Sequence, residues 1–219
     1  MKEWIVMYRC FCGKLYSFLM LFVFPIFSVA IVSIFTIIDA KFIGVLCVFL
    51  SSIELHADYF SYNGVTAKEY PFGIFRSGFH GEKLIEKSLK TDQIRRFVNI
   101  IVMFSATIIL TYVTSDNDTA GLWSVGIVLI LFSYFTITTL LIFLRKITSQ
   151  SGYYYVSFGI SALNGTIAFF VYYGLYDLLR RTFIVWIIAL AVLSVLATKY
   201  MLRNVLKNYE KSFHEESAA

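Results

Sequence analysis

The residues of this chain with most scope for chemistry are Glu54, His56 and Asp58, which fall inside or just beyond the far end of an apolar run. Unpaired charge is costly in hydrocarbon, so an ionisable side chain at membrane depth marks a functional position by default. Glu54 is the clearest and is a candidate for a substrate pathway. Four readings of it stand open: gating a vestibule, binding a cationic group, snorkelling to the interface, or pairing with an arginine. Asn164 is the second pathway candidate. It lies beside Ser157, Ser161 and Gly165, spaced four residues apart, with Ala168 one turn on. A stripe of small residues lets a neighbouring helix approach closely, within the chain or between subunits.

Other constellations are missing. The chain has no G-x-x-x-x-G-K-[ST], no H-E-x-x-H and no G-x-S-x-G, so the motifs for nucleotide binding, zinc hydrolysis and serine nucleophilic attack are absent. His56, His80 and His214 are scattered, and Cys10, Cys12 and Cys47 lack metal-ligand spacing. No metal site and no catalytic residue is expected, and the chain is read as a non-enzyme with no cofactor of its own.

The elements that must position these residues are set by hydrophobicity. Apolar residues make up 58% of the chain and charged residues 15%, with mean hydropathy +0.73. Soluble domains carry about a quarter charged residues. Crossing about 30 Å of hydrocarbon takes roughly 20 apolar residues in a helix. Six runs qualify: Leu15–Ile38, Phe42 to past Leu55, Phe97–Val113, Leu122–Leu144, Tyr153–Leu175 and Thr182–Leu202. They are continuous rather than alternating, which indicates helices and not a barrel. The expected fold is an all-α integral membrane protein with six transmembrane helices over 15–205. Pro25 predicts a kink in the first. Trp123, Tyr153 to Tyr155, Tyr172, Tyr173, Tyr176 and Tyr200 fall near predicted boundaries and read as interfacial belts.

Sixteen of the 19 Lys and Arg residues fall on one side of this topology. Cytoplasmic loops attract such an excess, so both termini are expected in the cytoplasm. The net charge of +5 reads as a solvated inner face, not a nucleic-acid surface. Residues 1–14 have Trp4, Tyr8, Phe11 and Leu15 at helical spacing, which predicts an interfacial helix turning into the first span at Gly13. Residues 206–219 read as a cytoplasmic tail.

The one long polar stretch, about residues 60–96, joins the second and third spans. Its first part is aromatic and broken by Pro71, Gly73, Gly78 and Gly81. Its second part, Glu82–Phe97, has Leu84, Ile85, Leu89 and Ile94 as an apolar stripe and a favourable Glu86–Lys90 pair. This helix runs straight into the third span, so the third helix is expected to protrude several turns.

The layout resembles the permease subunits of bacterial ATP-binding-cassette exporters of the type-two export class. In residues, the likeness lies in Lys68-Glu69-Tyr70, Phe75-Arg76-Ser77, Gly81-Glu82-Lys83-Leu84 and Ile94-Arg95-Arg96-Phe97. The resemblance implies a coupling loop between helices 2 and 3 that docks a cytosolic ATPase through Thr66, Lys68, Glu69, Tyr70, Phe72, Phe75 and Arg76. ATP and Mg would sit on that partner. A second permease chain, identical or sister, would complete the pathway in the cell membrane, and the cargo would be a hydrophobic or amphipathic peptide, toxin or antibiotic. Two other classes stand open: a non-transporting immunity or partner-binding membrane protein, and an ion-coupled carrier using Glu54 and Asp58.

Overall fold

A computed structural model describes residues 5–6, 8–9, 13–38, 53–59, 80–114, 119–147 and 149–215. Every element among them is helical. In chain order they are α1 (Lys14–Phe18), a π-helical turn (Leu19–Val23), α2 (Phe24–Ile38), α3 (Gly81–Thr114), α4 (Thr119–Leu144), α5 (Gln150–Gly174) and α6 (Tyr176–Glu215). A short helical stretch also covers residues 53–58.

The chain enters α1 through Gly13, whose φ of 83° is left-handed. Glycine takes this conformation without the Cβ penalty that other residues meet. The expected distortion near Pro25 takes the form of the π turn. A proline ring in a regular helix clashes with the carbonyl four residues back and leaves it without a donor. The wider turn at Leu19–Val23 absorbs that mismatch and places Pro25 in the first turn of α2.

Helix α3 is a single helix of 34 residues, about 51 Å at 1.5 Å per residue. Glu82 lies in its first turn, where a carboxylate complements the helix dipole. Lys90 Nζ lies 2.5 Å from Glu86 Oε1, the pair expected from the spacing. Helix α6 is longer than the run that announced it. It spans 40 residues with a kink at Thr182 (φ −112°, ψ 17°) and continues through Glu215. Thr182 Oγ1 donates to the Leu178 carbonyl at 2.7 Å, the back-bond by which threonine bends a helix.

Four of these helices are long and apolar enough to cross a membrane: Lys14–Ile31, Gly81–Val113, Trp123–Leu144 and Tyr176–Lys207. Their outer faces expose Phe22, Ile26, Val113, Val185 and Ile188, which suits hydrocarbon and not water. The fold is that of a helical multi-pass membrane protein. The second expected span, from Phe42, lies outside the described residues up to residue 52. The fifth falls on α5, a helix of 25 residues that is not among these four.

Helix α4 packs against α3, α5 and α6, while α2 lies along α3. The main core joins Ile100, Met103 and Phe104 of α3 to Val125, Val128, Leu129, Ile137 and Leu141 of α4. A second cluster, Ile85 and Leu89 against Met201 and Val205, fastens the start of α3 to the far part of α6. These two long helices therefore form a joined extension beyond the main core.

Candidate functional site

Two polar stripes at helical spacing meet at the base of that extension. One is Glu54 and Asp58, four residues apart on the 53–58 helix. The other is Asp92, Arg95, Arg96 and Asn99 on α3. Offsets of three, four and seven residues keep the second set on one helix face. Both stripes are buried, with Glu54 and Asp58 at 0% exposure and Arg96 at 1%.

The contacts are dense. Arg95 grips Glu54 as a fork, Nη1 to Oε1 at 3.0 Å and Nη2 to Oε2 at 2.7 Å. Asn99 Nδ2 donates to the same Oε1 at 3.1 Å. Arg96 Nε donates to Asp92 Oδ2 and Nη2 to Asp58 Oδ1, each at 2.6 Å. Its Nη1 also reaches the Glu54 carbonyl at 3.3 Å. Arg95 Nε donates to Asp92 Oδ1 at 3.1 Å. From the end of α4, Arg145 makes a second fork on Asp58, Nε to Oδ2 at 2.9 Å and Nη2 to Oδ1 at 2.6 Å. Tyr8 donates to Asp92 Oδ1 at 3.2 Å. Tyr153, at the start of α5, donates to the Leu55 carbonyl at 2.8 Å.

Three carboxylates thus face three guanidinium groups, and the cluster balances its own charge. Five separate segments contribute to it. An ion buried without a partner costs several kcal/mol, and only good geometry with further hydrogen bonds offsets that cost. Planar forks supply that geometry. Arginine keeps its proton under protein conditions, so the cluster holds charge in place and is poorly suited to passing protons.

This corrects two sequence expectations. Arg95, Arg96 and Arg145 were counted in a solvated inner face, yet all three turn inward. Counting cations by loop ignores which face of a helix each one occupies, and the acidic stripe on 53–58 supplies the reason they turn. Tyr153 was placed in an interfacial belt, but it is buried at 0% because its hydroxyl has a backbone acceptor. Tyr155 does stand outward, at 81% exposure. Of the four readings of Glu54, the arrangement is the arginine pair. The signal for this was present as the spacing 54/58 against 92/95/96/99.

Asn164 is buried on α5, as are Ser157, Ser161 and Gly165. Among the described residues, the side chains hydrogen-bonded to the Glu54 carboxylate are Arg95 and Asn99. The small-residue stripe faces into the chain: Ser157 Oγ lies 3.4 Å from His56 Nε2, and His56 stacks on Tyr154 at 5.1 Å. The ATPase-docking candidates Thr66, Lys68, Glu69, Tyr70, Phe72, Phe75 and Arg76 all lie outside the described residues.

A second polar group occupies a neighbouring face of α3, about 100° round the helix from Asp92. Gln93 Oε1 lies 3.4 Å from both the Tyr134 and Thr138 hydroxyls of α4, and Tyr134 Oη lies 3.1 Å from Thr198 Oγ1 of α6. Gln93, Tyr134 and Thr198 border a groove of about 510 Å³ between α3, α4 and α6.

Against known proteins, no family model, no curated protein and no solved structure matches the chain.

Proposed function

We propose that the chain is the membrane-embedded permease subunit of an ATP-driven exporter, with six spanning helices, both termini cytoplasmic, seated in a bacterial cell membrane. The observation that supports it best is α3. It runs unbroken from a polar start at Gly81 to Thr114. At mid-length it is clamped by the ionic cluster to the 53–58 helix and to α4. A push on the segment before Gly81 would therefore move three elements as one body. That is what a lever needs, since packed elements shift as rigid units between discrete arrangements.

In this reading a separate cytosolic ATPase dimer holds ATP and Mg and docks on about residues 66–76. Its closure tilts α3 and switches a cavity between two permease chains from inward to outward access. Apolar walls suit a hydrophobic or amphipathic cargo.

Co-purification from native membranes tests the reading. The full chain should retain a nucleotide-binding subunit and stimulate its hydrolysis. Substituting Glu69, Phe72 or Arg76 should leave the chain folded but uncouple hydrolysis from transport. A chain that associates with no ATPase overturns the proposal. A partner-binding immunity protein would instead hold its partner with no response to nucleotide. An ion-coupled carrier would lose transport in Glu54→Gln without any ATPase involvement. Both Glu54 oxygens are already engaged by Arg95 and Asn99, which favours anchoring over ion binding.

A further inference from the structure

The groove between α3, α4 and α6 combines features that an ordinary gap between helices lacks. Its walls are apolar, formed by Ile94, Phe97, Leu131, Ala191, Val195 and Leu202. Ile94 and Val195 are more than half exposed, so the groove opens toward the surroundings of the bundle. Inside it, Gln93 is 3% exposed and its Nε2 amide has no hydrogen-bond partner among the described residues. The Ser194 hydroxyl, also lining the groove, is buried and likewise unpartnered. A buried donor left unmade is costly, and native structures leave few. Lys90 and Lys199 also line the groove. Both lie toward the end where Leu202 of α6 runs past the start of α3, the end that holds Ile85, Leu89, Met201 and Val205.

We propose that this groove binds one anionic phospholipid from the adjoining leaflet. An acyl chain lies along the apolar walls and the phosphate meets Lys90 and Lys199. The ester carbonyl accepts from the Gln93 amide. A volume of about 510 Å³ falls within the range of small-ligand sites. Two lysines lining a pocket between spanning helices favour an anionic headgroup over a zwitterionic one. Lys90 already bonds Glu86, but an ammonium has three donors and can serve both. The site is independent of the export reading, because it needs neither the ATPase nor the segment before Gly81.

Native mass spectrometry of the full detergent-purified chain, with dioleoyl phosphatidylglycerol, dioleoyl phosphatidylcholine and inorganic phosphate as probes, tests it. Phosphatidylglycerol should be retained at one copy per chain and phosphatidylcholine should not. Lys90→Ala and Lys199→Ala should each weaken retention about fivefold, with unchanged thermal midpoints showing that the fold is kept. Gln93→Leu should weaken it further without altering the preference for anionic lipid. Equal retention of the two lipids overturns the proposal. So does full displacement by inorganic phosphate, which would mark a bare anion site. Disulfide trapping of Val195→Cys between two copies with no lipid retained also overturns it, since the groove would then be a subunit interface.

Discussion

Asp92 and Gln93 are neighbours on α3, yet they belong to opposite environments. Asp92 faces a cluster in which every carboxylate and guanidinium is matched, across five segments. Gln93 faces a neutral network of hydroxyls at 3.4 Å with one amide hydrogen-bonding group left open. The difference follows from what burial costs. A charge without its partner is prohibitive, so the charged side must be completed by the chain itself. An amide without a partner costs a few kcal/mol at most, so the neutral side can remain incomplete and receptive. One face of α3 is fixed and the other is available.

The largest test of that contrast is Arg96→Ala. It leaves Asp58 and Asp92 short of a counter-charge and should cost about 3–5 kcal/mol, read as an earlier midpoint in denaturant unfolding from micelles. An unfolding midpoint unchanged from the native chain would break the comparison. Next comes a double-mutant cycle on Glu54→Gln and Arg95→Gln. The pair should be less harmful together than the separate losses add up to, with a coupling of about 1–3 kcal/mol. On the neutral side, Gln93→Leu should change stability by less than about 1 kcal/mol, because it removes an unmade hydrogen bond along with two long ones. The smallest effect is expected at Glu86→Ala. Its partner Lys90 is 42% exposed, and such a surface pair contributes about 0.3–0.5 kcal/mol.

Hydropathy made the long helices legible, and it also limited what could be read. It marks where hydrocarbon ends, not where a helix ends. The run to Leu202 was visible, but α6 continues to Glu215, and at that point Met201 and Val205 pack on Ile85 and Leu89. That contact pairs residues more than a hundred positions apart and has no local signature. Helix α3 was read at nearly its full extent because Leu84, Ile85 and Leu89 form an apolar stripe on the polar stretch itself. The charged cluster was half legible. Glu54 stood out as an acid in an apolar run, while Arg95 and Arg96 were absorbed into a count of cytoplasmic cations. Complementary stripes, 54/58 and 92/95/96/99, were the cue. Arg145 carried none, since it follows α4 as any flanking arginine would.

The charge-balanced cluster also bears on how the chain is made. Ribosomes release the 53–58 helix first, α3 next and Arg145 last. Asp92, Arg95 and Arg96 are already partly neutralised along α3, and Glu54 and Asp58 are waiting when that helix emerges. The 53–58 helix and α3 satisfy these charges against each other, where either segment alone would carry them unpaired, which is costly once they leave water. Of these three segments Arg145 is made last, so its fork on Asp58 can close only once the 53–58 helix and α3 exist. The charge balance of the cluster thus depends on a contact that the early segments cannot complete alone.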